Sequence, residues 1–208
     1  MFVEQNMQNF LDTLSSDAPV PGGGGASAYV AAMGMCLGSM VANLTTGKKK
    51  YAEYQNEIDE ILGKADGLTK ELVACMDKDA EAFEPLSKSY GLPRSTPEEI
   101  AERTAIMEKA LVVASEAPLH LMGVIMDSME LLDRLAVIGS RIAISDVGVG
   151  IQMAKAALNG ASLNVFINTK LMKDRAVAED MNARANAMLE KGNVDADRIY
   201  QVVLDAVK

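Results

Sequence analysis

Tryptophan is absent from this chain of 208 residues, and it holds only four Phe and five Tyr. Few aromatics alongside abundant Ala, Met, Leu and Val is a helical composition rather than a sheet composition. The single histidine, His120, excludes a His-rich metal site and reads as a core or surface residue rather than a catalyst. The two cysteines, Cys36 and Cys75, have no zinc spacing and lie in apolar helical patterns, where they read as reduced core thiols. Basic charge is in short supply: 20 Lys and Arg against 29 Asp and Glu leave a formal charge of −9. That balance argues against nucleic acid and anionic membranes as partners. Met1-Phe2-Val3-Glu4-Gln5-Asn6 has neither a basic n-region nor an apolar h-region, so no signal peptide and a cytoplasmic location are expected. Charge is also missing from Ser27 to Thr46, long enough to raise the question of a membrane span. Its apolar residues are mostly Ala and Met and no second span accompanies it, so a helix inside a bundle is the better reading.

What is present is helical periodicity. With 49% hydrophobic residues the chain can bury a sizeable core. Residues 3–15 place Val3, Met7, Phe10, Leu11 and Leu14 on one side of a short helix. Asp17-Ala18-Pro19-Val20-Pro21 ends it. A second helix is expected over 27–46, where Gly34 and Gly38, like Ala28 and Ala32, stand one turn apart and permit close helix approach. A long helix fits 52–90, with Ile58, Ile61, Leu62, Ala65, Leu68, Leu72, Cys75, Met76, Phe83 and Leu86 at three-four spacing. Thr96 as N-cap, Pro97 and Glu99 open the next helix, which runs to about 135 with a kink expected at Pro118. Asn159-Gly160 divides helices over 145–158 and 161–171, and Gly192-Asn193 divides helices over 173–191 and 195–207. No period-two alternation, repeat or linker is found. The expectation is one all-α domain over 1–208, a helical bundle with a central helix rich in small residues.

Against that background four features point to chemistry. The run Gly22-Gly23-Gly24-Gly25 before Ser27 brings no side chains to pack and leaves bare amides at the positive end of a helix, a geometry suited to an anionic or polar ligand. It is neither a P-loop nor a dinucleotide fingerprint, since no strand precedes it. Lys48, Lys49 and Lys50 open a helix, where cations are electrostatically misplaced unless an anion accompanies them. Asp79 falls in the middle of an apolar helix face, where a carboxylate is costly unless paired or protonated. A structural ion pair would satisfy it, and so would a role as general acid/base with a raised pKa. Ser145-Asp146 precede a helix, ordinarily as caps, and Asn164 and Asn168 stand one turn apart among apolar residues, where their amides need partners.

These pieces, in this order, resemble the cyclodeaminase/cyclohydrolase family of folate enzymes. The resemblance rests on Pro19-Val20-Pro21-Gly22-Gly23-Gly24 with Ser27, Met40-Val41-Ala42-Asn43-Leu44-Thr45, Gly47-Lys48-Lys49-Lys50-Tyr51, Asp79-Ala80-Glu81-Ala82-Phe83, Ser145-Asp146-Val147-Gly148-Val149, and Asn159-Gly160-Ala161 through Ile167-Asn168. It covers nearly the whole chain. Two departures stand out: Gly139-Ser140-Arg141-Ile142-Ala143-Ile144 replaces an approach more often rich in Asn, and the glycine run is longer by one. The resemblance implies an all-helical homodimer binding a tetrahydrofolate derivative near the subunit interface, with no metal and no further cofactor. It implies catalytic work for Asp79 first and Asp146 second, with Lys49 and Tyr51 as candidate donors. Gly22, Gly23, Gly24, Gly25, Ser27, Lys48, Lys50, Ser145, Asn164 and Asn168 are then candidate substrate contacts, the lysines for a glutamate or polyglutamate tail. A chain without a transferase domain favours methenyltetrahydrofolate cyclohydrolase. Formimidoyltetrahydrofolate cyclodeaminase and a non-catalytic helical binding protein are the alternatives. A uniform helix of about twenty residues is about 30 Å long, which separates the glycines from the lysines within one subunit.

Overall fold

The computed structural model describes residues 2–4 and 6–208, all helical or loop, with no strand among them. Six α-helices follow in order: α1 (Met7–Leu14), α2 (Gly23–Asn43), α3 (Gln55–Tyr90), α4 (Pro97–Ile138), α5 (Ile144–Thr169) and α6 (Arg175–Val207). A 3-10 segment, Lys49–Tyr54, leads into α3, and another, Arg141–Ala143, leads into α5.

The helix starts follow the local chemistry. Thr96 and Glu99 close the expected capping box on α4, with Glu99 N–H donating to Thr96 Oγ1 at 3.2 Å and Thr96 N–H to Glu99 Oε2 at 3.1 Å. Asp174 caps α6 by accepting from the amides of Ala176 and Val177. Asn6 does the same for α1 through Asn9 N–H.

A continuous core threads all six helices, contributed chiefly by Leu, Ile, Ala and Met. The α2–α5 pair is held by small residues. A methyl group on Gly34 would lie 2.8 Å from the carbonyl oxygen of Gly150, and one on Gly150 would lie 2.8 Å from that of Gly34. Further along, Gly160 faces Ser27 and Gly23 faces Asn164, so the two helices run antiparallel. α5 also packs on α4 and α6, and α3 packs on α2 and α4. Both α2 and α4 contain stretches long and apolar enough to cross a membrane by length and composition, and more than half of each stretch is buried against other helices.

Several expectations change. The helix over 3–15 is α1, Met7–Leu14, preceded by a 3-10 turn at Phe2–Glu4; Gln5 and the Val3 side chain lie outside the described residues. Of its expected apolar face only Phe10 is fully buried, against Tyr29, while Met7 and Leu11 stay exposed. α2 begins at Gly23 rather than Ser27, so Gly23, Gly24 and Gly25 are inside the helix and Gly22 is its N-cap. Asn159-Gly160 and Gly192-Asn193 do not break helices. Gly192 admits Leu158 and Met126 where a methyl group would collide, and Asn159 and Asn193 bond each other at 2.8 Å across α5 and α6. Each asparagine also donates to its own i−4 carbonyl, so both segments stay helical. α4 runs unbroken past Pro118. Cys75 is buried as expected, its thiol pushed up to about 11 by burial, but Cys36 is exposed on the outer side of α2.

Candidate functional site

The first turn of α2 supplies the centre of the site. Gly22, its N-cap, has no side chain to satisfy the free amides that follow. Asp79 of α3 takes that place: its carboxylate lies against Gly24 so closely that any Cβ there would overlap all three carboxyl atoms. The glycine is needed for the approach, and the approach puts an acid at the positive end of a helix. Burial pushes the Asp79 carboxyl above its ordinary range, and the Gly25 amide offsets part of that shift. Gly25 itself is buried beneath Pro21.

A cavity of about 220 Å³ opens beside this carboxylate, floored by Gly22, Gly23 and Gly24, with Asn164 and Asn168 of α5 on one wall and Phe83 on another. Asn168 is buried and donates through Nδ2 to the carbonyl of Ala114 at 2.9 Å. Asn164 donates to Gly160 of its own helix at 3.0 Å. A second hollow, of about 380 Å³, continues from the same Pro19, Val20 and Phe83 along α3. A carboxyl of raised pKa, two carboxamides and an aromatic wall suit a planar heterocycle bearing nitrogens.

Ser27, a candidate contact, does not line this cavity; its Oγ donates to Gly23 O at 2.8 Å and is covered by Gly160. The remaining candidates gather at the other end of α2. Tyr51 OH accepts from the Arg141 amide at 3.1 Å, and Lys50 Nζ sits 5.5 Å from the Tyr51 ring centre. The Arg141 amide, Ser140 and Lys50 together hold the Tyr51 phenol below its ordinary pKa. Lys48 Nζ donates to Ser140 Oγ at 3.4 Å. Lys48, Lys49 and Lys50 all stand exposed; Lys48 precedes and Lys49 and Lys50 begin a 3-10 segment ahead of α3, so none of them opens the α-helix itself. Ser145 and Asp146 occupy the first turn of α5, which antiparallel packing brings to this end, but Ser145 lines a separate, largely apolar hollow with Val149, Tyr200 and Leu204. α2 spans 21 residues, so the two clusters stand about 30 Å apart within one chain. His120 pairs with Glu71 at 2.9 Å on the surface, away from both.

Reading the sequence did not single out Ser140 and Arg141 as companions of Tyr51, since their loop gave no pattern; Phe83, placed on the apolar face of α3, packs against the core and also lines the cavity.

The fold and this pocket define an all-helical protein that holds a carboxyl of raised pKa against the first turn of a central helix. The chain belongs to the formiminotransferase-cyclodeaminase family, whose sequence profile matches residues 6–187. It is 41% identical over 203 residues to the methenyltetrahydrofolate cyclohydrolase of Methylorubrum extorquens, covering 98% of each chain. It is 28% identical over 194 residues to the formimidoyltransferase-cyclodeaminase of Rattus norvegicus, of which it spans only 36%. The crystal structure of formiminotetrahydrofolate cyclodeaminase from Thermotoga maritima superposes with a TM-score of 0.82 at 28% identity, covering 98% of this chain and 96% of that one.

Proposed function

We propose that this chain is a methenyltetrahydrofolate cyclohydrolase, converting 5,10-methenyltetrahydrofolate and water to 10-formyltetrahydrofolate. The observation that carries the reading is Asp79, a carboxyl with a raised pKa at the floor of a cavity shared with two carboxamides. The methenyl carbon is an amidinium cation between N5 and N10. A carboxylate beside it stabilises that charge and accepts a proton from the attacking water. The tetrahedral adduct then collapses: the bond from the carbon to N5 breaks, N5 takes a proton, and the formyl group remains on N10. One proton is released overall. A carboxyl that titrates above its usual range can serve in both directions. This is acid–base chemistry on the folate itself and needs no further cofactor.

Cyclohydrolysis is favoured because the relative at 41% identity, matched over 98% of its length, carries that name. Cyclodeamination, in which N10 attacks a formimino carbon and ammonia leaves, uses the same tetrahedral carbon and is the second reading, favoured by the Thermotoga structure.

The lysine cluster is the proposed seat of the glutamate tail, and Tyr51 with its lowered pKa and Asp146 are the proposed polar partners at that end. Because about 30 Å separates the clusters, we propose a homodimer in which one subunit's lysine end completes its partner's glycine end. The outer side of α2 supports this: no charge occurs from Gly22 to Gly47, and Cys36 and Met40 on that side are exposed.

The test follows the near-ultraviolet absorbance of the methenyl compound. Enzyme-accelerated decay is expected. Accumulation from 5-formiminotetrahydrofolate with ammonia release would replace the first reading by the second, and no change with either substrate would refute both. Mixing inactive Asp79→Asn subunits with Lys49→Ala/Lys50→Ala subunits, assayed at a polyglutamylated folate concentration too low for the lysine variant to turn over, should restore up to about a quarter of the activity if sites are shared between subunits, and none if they are not.

A further inference from the structure

Pro118 is buried in the interior of α4. It has no amide hydrogen, so the carbonyl four residues earlier, that of Ala114, is deprived of its helical donor. A buried carbonyl needs another partner. The partner comes from α5: Asn168 Nδ2 donates to Ala114 O at 2.9 Å, across 54 residues of sequence. Such a rescue does not accompany every helix-interior proline. Pro85, inside α3, likewise deprives the Glu81 carbonyl, and among the described residues no side chain donates to it.

The bond has a directional consequence. A carbonyl accepts only, so it selects the nitrogen of the carboxamide and turns Oδ1 the other way. Asn168 is 8% exposed and lines the Asp79 cavity together with Ala114. Among the described residues nothing donates to Oδ1. A nearly buried side chain thus offers the cavity an unpartnered acceptor whose orientation is set from behind.

We infer that Pro118 is a positioning residue: by freeing Ala114 O it locks Asn168 with Oδ1 toward the cavity, where that oxygen accepts an N–H from the edge of a planar heterocycle. The ligand part rests on the folate reading above; the locking does not.

Pro118→Ala restores an N–H that can serve Ala114 O from within α4 and releases Asn168 to rotate. The expected result is a KM for methenyltetrahydrofolate about tenfold higher, the effect of one lost hydrogen bond. kcat and thermal stability should be little changed, or stability raised. In an Asn168→Ala background the same substitution should alter KM by no more than about twofold, because the residue it acts through is gone. Additive effects, or an unchanged KM in Pro118→Ala, overturn the proposal. Hydrogen exchange of the Asn168 side-chain amide, followed by NMR without substrate, decides the locking separately from any enzymology. Slow exchange in the wild type that becomes at least about tenfold faster in Pro118→Ala supports it, and equal rates refute it. If the exchange result holds but Asn168→Ala leaves KM unaltered, the locking stands and the contact with folate is refuted.

Discussion

Gly24→Ala separates the two demands made on the first turn of α2. As a helical position it should welcome alanine, by up to about 1 kcal/mol. As the seat of Asp79 it cannot, because the added methyl would overlap the carboxyl carbon and both oxygens. Restoring contact distance requires the carboxyl to retreat by about 1 Å. Overpacking of this kind costs about 1–3 kcal/mol, so with the full helix gain the net change runs from about zero to a loss of about 2 kcal/mol, a fall in Tm of no more than about 4–8 °C for a chain of this size. The effect on turnover should be far larger, about a hundredfold, since a catalytic group displaced by 1 Å loses about that much. Decay of methenyltetrahydrofolate absorbance and thermal unfolding, measured on the same preparation, give both numbers. In an Asp79→Ala background the obstacle is gone, and Gly24→Ala should then stabilise. Gly63→Ala is the control: nothing lies within 4 Å of its added methyl, so it should raise stability with turnover unchanged. Wild-type turnover in Gly24→Ala, or a stability loss that persists without the carboxyl, would refute the argument that Gly24 exists to admit Asp79.

Asp79→Asn should fold and lose most turnover; full activity would remove Asp79 from the chemistry. The same variant has a pH signature. Burial raises the Asp79 carboxyl, so the folded chain holds that proton more tightly than the unfolded chain does, and the resulting stability is present at low pH and lost as pH rises through the raised value. The Tm of Asp79→Asn relative to wild type should therefore grow from about pH 4 towards pH 7, and a constant difference would contradict the raised pKa. Lys49→Ala with Lys50→Ala should weaken polyglutamylated folate more than the monoglutamate, read from the two KM values; equal losses would remove the tail-binding role. Gly150→Ala should cost about 1–3 kcal/mol in denaturant unfolding, because its methyl would meet the Gly34 carbonyl at 2.8 Å, and a neutral result would mean that α2 and α5 can separate without penalty.

The all-helical architecture, the capped start of α4 and the half-buried carboxyl were legible because each leaves a local signature: periodicity, Thr96-Pro97 with Glu99, and one acid on an apolar face. The Asn-Gly and Gly-Asn pairs misled because a glycine that breaks a helix and a glycine that admits a neighbouring helix are the same letter. Gly160 and Gly192 are of the second kind, and only the positions of Ser27 and Leu158 reveal it. Likewise, low intrinsic propensity argued for a helix beginning at Ser27, but Asp79 and Asn164 occupy the space beside Gly24 and Gly23 and the helix extends through them. Cys36 was misplaced because an uncharged helix has no polar face to mark its outside. The pairing of Tyr51 with Arg141 was invisible, since it joins a backbone amide to a phenol 90 residues away and depends on no side-chain pattern.

α5 carries Ser145 and Asp146 in its first turn and Asn164 and Asn168 near its last, so one rigid rod touches both polar clusters. It therefore acts as a ruler. Inserting a single residue at its middle would swing one end by about 100° relative to the other, and inserting four would restore the facing but lengthen the rod by about 6 Å. Neither change leaves Asp146 and Asn164 in their present relation. The loops at each end can vary, but the spacing between the clusters is fixed by the residue counts of α2 and α5 together.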